Sequence, residues 1–174
     1  YRAEYLLDPH EVKNYFSIKI QPKADKYYLI EIIDDPRGKR KVDTMDITTG
    51  GVTTTTEKVK TSDQLKLSAQ IAKRIKDVVI RGGVIESAGG AGVDYYLWKD
   101  RIKLSFEASD FDKKRGAHIK AGATVNLGKY IFLTAGYDDP ATKLDLASSY
   151  AGLGFQFEDD DLKYIFSSAP PVKF

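Results

Sequence analysis

Hydrophobic and polar side chains alternate along most of this chain with a period of two, the signature of strands that have one apolar and one polar face. In Arg2 to Leu7, Ala3, Tyr5 and Leu7 share a face, and Asp8-Pro9-His10 reads as the turn that ends it. Lys13 to Gln21 sets Phe16, Ile18 and Ile20 opposite Ser17, Lys19 and Gln21. After a turn at Pro22 to Asp25, Lys26 to Asp34 sets Tyr28, Ile30 and Ile32 opposite Glu31. From Gln64 the alternation resumes. Leu65, Leu67, Ala69 and Ile71 oppose Lys66, Ser68 and Gln70; Val78, Ile80, Gly82 and Val84 oppose Val79, Arg81 and Gly83. Val93, Tyr95 and Leu97 oppose Gly92, Asp94 and Tyr96, and Ile102, Leu104, Phe106 and Ala108 oppose Lys103, Ser105 and Glu107. Ile119, Ala121, Ala123 and Val125 then oppose Lys120, Gly122, Thr124 and Asn126, and Ile131, Leu133 and Ala135 oppose Thr134 and Gly136. In Ser149 to Phe157, Ala151, Leu153, Phe155 and Phe157 oppose Gly152, Gly154 and Gln156. The pattern predicts about ten short strands in consecutive hairpins, which argues for an all-β antiparallel, up-and-down barrel.

Three stretches depart from the pattern. Residues 35–63 hold little apolar material; with Gly50-Gly51 at a turn and threonine at 53–56, they read as a loop or hairpin projecting from the body. Leu67, Ile71, Ile75 and Val79 are spaced by four, so Gln64 to Val79 competes as an amphipathic helix, although a strand pair is the reading adopted. Asp159 to Phe166 reads as a short helical turn in a C-terminal tail, 158–174. The whole, 1–174, is expected to be one domain. Tyr1 is not a usual start, so the chain is expected to be the C-terminal part of a longer polypeptide.

Composition narrows the class. Lys plus Arg is 27 against 25 Asp plus Glu, a net of +2, which gives no basis for a nucleic-acid surface. There is no cysteine, hence no disulfide and no thiolate metal site. No run reaches the roughly 20 apolar residues of a membrane helix, but a transmembrane strand needs only about 9–11 alternating ones.

The sidedness of such a barrel decides its class. The apolar faces carry no formal charge, whereas the polar faces collect Lys19, Glu31, Lys66, Arg81, Asp94, Lys103, Glu107 and Lys120 together with Gly92, Ser105, Gly122, Gly136, Gly152 and Gly154. Long charged residues beside very small ones suit a narrow bore, where tall side chains lie across positions that have none. Tight links near Pro22 to Asp25, Ile75-Lys76, Lys99-Asp100 and Gly128-Lys129 alternate with longer ones at Asp35 to Asp63, Asp110 to Gly116 and Asp138 to Ala147. Tyr27, Tyr28, Tyr95, Tyr96, Trp98, Tyr130 and Phe132 gather toward the tight-turn rim, as in an interfacial belt. These features favour an outer-membrane type of barrel, both termini periplasmic. Its lipid-facing band would include Ile18, Ile30, Leu67, Val93, Leu104, Val125, Leu133 and Phe155, and its interior polar network the eight charged residues above. The ending Gly152-x-x-Phe155-x-Phe157 resembles the closing-strand signal of outer-membrane barrels.

The segments Ile18 to Gly38, Leu65 to Arg74, Arg81 to Leu97 and Asp100 to Phe111 resemble the C-terminal region of mammalian-cell-entry (MCE) domain proteins of Mla-type lipid transport systems. That resemblance implies an outer-membrane barrel domain anchoring the distal end of a trans-envelope phospholipid transport protein. It further implies, as partners, outer-membrane lipid, an MCE domain of the same chain, inner-membrane transporter components, and homo-oligomerisation through parts absent here. The alternative is a soluble periplasmic barrel that binds lipid inside its apolar face.

No enzymatic pattern stands out. His10 and His118 are the only histidines, and the abundant serines and aspartates lack nucleophile-elbow spacing, so a lipid hydrolase or acyltransferase is a third reading only. Gly89-Gly90-Ala91-Gly92 lacks the Lys and Ser/Thr of a phosphate loop and reads as a turn between strands. No catalytic residue, metal site or cofactor is expected.

Overall fold

A computed structural model of the chain describes residues 1–8, 10–49, 52–62, 65–112, 116–138, 147–161 and 163; of 39–49, 52–62 and 112 it describes the backbone alone. The strands are β1 (Arg2–Leu6), β2 (Glu11–Lys23), β3 (Lys26–Asp34), β4 (Lys39–Thr49), β5 (Val52–Ser62), β6 (Leu65–Ile75), β7 (Val78–Ile85), β8 (Ala88–Leu97), β9 (Ile102–Asp112), β10 (Gly116–Asn126), β11 (Ile131–Asp138) and β12 (Ser148–Phe155). Ten of them close into an antiparallel barrel in the order β1-β12-β11-β10-β9-β8-β7-β6-β3-β2. Closure is made by β1 on β12, from Arg2↔Gly154 to Leu6↔Tyr150, and is finished by paired bonds between Tyr1 and Phe155. A closed sheet leaves no barrel strand with an unpaired edge.

Gln64 to Val79 resolves in favour of strands: β6 and β7 pair from Ala69↔Val84 to Ile75↔Val78. Within a sheet, the spacing by four in Leu67, Ile71 and Ile75 is one face of a period of two. β4 and β5 pair only with each other, from Lys39↔Ser62 to Thr49↔Val52, and interrupt the β3–β6 pair, whose last partners are Asp34↔Leu65. The segment is thus a separate two-stranded hairpin inserted into the β3–β6 connection. A single helical turn covers residues 159–161; the rest of the expected turn and tail, except residue 163, lies outside the described residues.

Two details differ from the sequence reading. Gly89 to Gly92 lie inside β8, and the turn before it is Glu86-Ser87, both left-handed at φ 48° and 66°. Without side chains to mark a face, the glycine run gave no alternation to read. Second, this two-residue link belongs to the rim that also carries the hairpin and the β9–β10 and β11–β12 connections, so that loop rim mixes long and tight links. The opposite rim has only short turns, 24–25, 76–77, 98–101 and 127–130, and the Tyr1–Phe155 closure lies there. It is called the turn rim below.

The bore is filled by tall side chains leaning across glycines. The Tyr150 ring reaches over Gly122 and Gly136, and the Phe132 ring lies against Gly154. A methyl group at Gly136 would overlap the carbonyl oxygen of Ala121 and the Cα of Gly122, whereas one at Gly122 meets chiefly the Tyr150 hydroxyl. Backbone cannot step aside as a ring can. Gly136→Ala should therefore destabilise the barrel by about 1–3 kcal/mol, more than Gly122→Ala. Replacing Tyr150 by Phe should recover part of the Gly122→Ala loss but little of the Gly136→Ala loss, as read by urea unfolding of the refolded chain.

Candidate functional site

The outer surface is the first candidate. Along β2, the outward positions Val12, Phe16, Ile18 and Ile20 are all exposed, as are Ile30 and Ile32 on β3, Leu67 and Ile71 on β6, and Ile80 and Val84 on β7. Around the wall, Val93, Leu104, Phe106, Val125, Leu133, Leu153 and Phe155 continue the belt. Thus Ile18, Ile30, Leu67, Val93, Leu104, Val125, Leu133 and Phe155 all face outward, with exposures from 38% at Val125 to 54% at Leu67. The outward charges of β3 and β6, namely Lys26, Asp34 and Lys73, lie at or near strand ends. Exposed aromatic rings flank the aliphatic zone at both rims: Tyr5, Phe111 and Tyr137 toward the loop rim, and Tyr1, Tyr95, Trp98, Tyr130 and Phe157 toward the turn rim. An apolar surface this continuous is far beyond what a soluble monomer ordinarily leaves in water.

The interior is the second candidate. At the loop rim three cations meet three carboxylates. The Lys13 ammonium lies 2.5 Å from Glu86, 3.0 Å from Asp35 and 3.4 Å from Asp138. Lys66 lies 2.7 Å from Asp35 and 3.0 Å from Glu86. The Arg37 guanidinium donates to Asp35 and, at 2.7 Å, to Asp138, whose other oxygen lies 2.7 Å from His118 Nε2. Asp35 and Arg37 belong to the link between β3 and the projecting hairpin. The network therefore pins the hairpin root into the bore, helped by a turn in which the Gly38 amide donates to the Asp35 carbonyl and Gly38 itself, left-handed at φ 63°, redirects the chain that follows.

Deeper in the bore, Lys120 donates to Glu4 at 2.6 Å and to the Tyr15 hydroxyl at 2.5 Å, and Arg2 stacks on the Tyr15 ring. Arg81 donates to Gln70 and Asp94, and its Nη2 lies 2.7 Å from Glu107. Toward the turn rim, Tyr27, Ala72 and Val79 form a small apolar plug with Leu29 and Tyr96 against it.

Of the eight charged residues that the sequence marks as interior, Arg81 meets both Asp94 and Glu107, Lys120 meets Glu4, and Lys66 joins the loop-rim network. Glu31 accepts from Ser17. Lys19 is exposed near the turn rim, over the Tyr27 ring, and Lys103 is partly exposed. Sequence reasoning missed Glu4, Lys13, Asp35, Arg37, Glu86 and Asp138. Glu4, Lys13 and Asp138 were available from alternation, Glu4 lying opposite Ala3 and Tyr5, Lys13 sharing a face with Ser17 and Lys19, and Asp138 one with Thr134 and Gly136; Asp35, Arg37 and Glu86 sit in turns, where period two says nothing. His118 is held in the network and His10 near Tyr5 outside it, so the two histidines serve different surroundings. Among the described residues no group of three or more His, Asp or Glu is arranged to hold a metal.

Burial pushes the carboxyls of Asp35 and Glu86 up, but the charges of Lys13 and Lys66, with Arg37 for Asp35 and His118 for Glu86, outweigh it and hold both well below the usual carboxylate range. Depressed folded values stabilise the fold above the unfolded values of about 4, and that contribution is lost as pH falls through the folded ones. The urea midpoint should therefore drop steadily below about pH 4 as these carboxylates are protonated. Lys13→Met leaves three carboxylates facing fewer cations and should cost about 3–5 kcal/mol at pH 7; the same unfolding measurement, showing a smaller loss at pH 3 than at pH 7, checks both statements.

The model of a family described as a lipocalin-like domain matches residues 1–164. An uncharacterised protein of Aquifex aeolicus (strain VF5) is 28% identical over 161 residues, covering 88% of this chain; the chain spans about half of that relative's length, 48%. No solved structure matches. These findings overturn the likeness to MCE-domain, Mla-type transport proteins, and the distal-anchor role that followed from it has no support in them. The segments that suggested it are β2–β3, β6, β7–β8 and β9, whose alternation and glycines are what any narrow barrel wall requires. By the match over nearly its whole length, the chain belongs to the family of lipocalin-like domains.

Proposed function

We propose that this domain is a membrane-embedded β-barrel that meets lipid with its outer wall and serves as an anchor rather than a conduit or an enzyme. The observation that carries the reading is the inverted sidedness: exposed Ile18, Ile30, Leu67, Leu104 and Leu133 outside, buried Lys13, Glu4, Arg81, Asp94 and Asp138 inside. A water-exposed barrel would bear the cost of both faces, whereas acyl chains around the wall remove the first and ion pairing across the bore removes the second. The aromatic rings at both rims fit the two interfaces of a bilayer. Short turns and the chain closure on one rim, with longer links on the other, fit an outer membrane with the turn rim toward the periplasm. Salt bridges and the Tyr27 plug occupy the bore, which supports anchoring over passage of solute.

A second reading, a soluble barrel that binds lipid, is favoured by the family description as lipocalin-like. Lipocalins hold one small ligand within an eight-stranded barrel. Here the wall has ten strands and the interior is lined by charges in contact with one another, so the ligand space that reading needs is where the ion pairs lie.

Leu104→Lys and Leu133→Lys separate the two. A charge at mid-depth on a lipid-facing position costs about 2–4 kcal/mol, so each substitution should sharply reduce folding into phospholipid vesicles, read by resistance to added protease. If the unaltered chain is instead monodisperse without detergent, ignores vesicles and takes up a fluorescent fatty acid, the membrane reading fails and the soluble one stands.

A further inference from the structure

At the turn rim, the β8–β9 and β10–β11 turns enclose an open cleft of about 370 Å³ lined by Lys99, Asp100, Arg101, Asn126, Leu127 and Gly128. Its shape is imposed rather than loose. Trp98, Lys99 and Asp100 are consecutively left-handed at φ 50°, 55° and 65°, a costly conformation for residues with side chains. Neighbouring strands hold them there. Arg74 grips the Asp100 carboxylate with two bonds of 2.6 and 2.7 Å, while the Asn126 side chain donates to the Asp100 carbonyl and the Asn126 amide to the Arg101 carbonyl, each at 2.8 Å.

The clamp also sets the charge of the cleft. Asp100, its one acid, is committed to Arg74, and neither Lys99 nor Arg101 has an ion-pair partner among the described residues. Two uncommitted cations therefore line a fixed polar cleft that is walled on one side by exposed Leu127 and lies next to exposed Trp98. From this we infer a binding site for a phosphate-bearing anion, with Lys99 and Arg101 as donors. The apolar wall and the level of the cleft at the rim make a phospholipid headgroup the favoured source, a choice that rests on the membrane reading above. A fork of guanidinium donors with a neighbouring ammonium suits phosphate oxygens, and Leu127 suits the glycerol end of a lipid.

Trp98 is the chain's single tryptophan, so its emission reports on this cleft without labelling. The refolded chain in neutral maltoside micelles would be titrated with dihexanoyl-phosphatidylglycerol, with inorganic phosphate, and with phosphate-free dihexanoylglycerol. A saturable shift in Trp98 emission with the phospholipid alone supports the headgroup; a shift with phosphate as well makes free phosphate the source. Removing one cation by Lys99→Gln or Arg101→Gln should weaken the response about tenfold, the effect of losing one charged hydrogen bond. Gly128→Glu should abolish it: its Cβ would enter open space, so strand content by circular dichroism should be unchanged while an anion is placed in the cleft. No saturable response, or an equal one to dihexanoylglycerol, overturns the site. Vesicle insertion is measured separately. A chain that inserts yet gives no response loses only the site, and one that stays soluble yet responds to inorganic phosphate loses only the membrane reading.

Discussion

Charge balance across a closed bore is the constraint on which the rest of this structure depends. Lys13 touches three carboxylates, from the β3–β4 link, the β7–β8 turn and the end of β11, so one ammonium ties together segments far apart in sequence. Burying such a cluster gains little over an apolar core of equal volume, because desolvation of each ion consumes most of the attraction. What it secures is a unique arrangement. An apolar interior can slide and repack, but Asp138 satisfied jointly by Lys13, Arg37 and His118 fixes which strands face one another.

Sidedness follows from the same requirement. Once the ion pairs and the rings of Tyr15, Tyr27, Tyr150 and Phe132 occupy the interior, there is room there for few aliphatic side chains, Leu6, Ile33, Val79 and Ile85 among them, and not for most of the isoleucines and leucines of ten strands. They must be outside, and glycine must stand wherever a tall side chain crosses the bore. The Tyr150 ring over Gly122 and Gly136 is the plainest case, with sequence composition, strand register and packing meeting in one contact.

How much of this could be read beforehand depended on what each residue's neighbours reveal. Period-two alternation marks Leu104 and Lys103 as opposite faces with no knowledge of partners, so strand number and facing were legible. Turn residues have no such context. Asp35 and Glu86 are identified only by where the closed barrel brings them, against Lys66 and Lys13. Gly89 to Gly92 hid the first part of β8 because side chains are what alternate. The mistaken family likeness has the same root: strand segments with small residues on one face are dictated by barrel geometry, so unrelated barrels converge on similar local strings.

The projecting hairpin shows what the ionic core does beyond holding the wall together. β4 and β5 pair only with each other, which alone would leave their direction soft where the β3–β6 pairing stops and residues 35–38 intervene. Asp35 and Arg37 are inside that interruption, and both side chains turn into the bore to join Lys13, Lys66 and Asp138. The hairpin root is thereby part of the barrel's buried electrostatics rather than an appended loop. Because the same carboxylates and cations close the bore and seat the hairpin, loosening one loosens the other, and an open channel at the loop rim is incompatible with a fixed hairpin. That coupling is the physical reason to read the domain as a filled anchor that presents an arm.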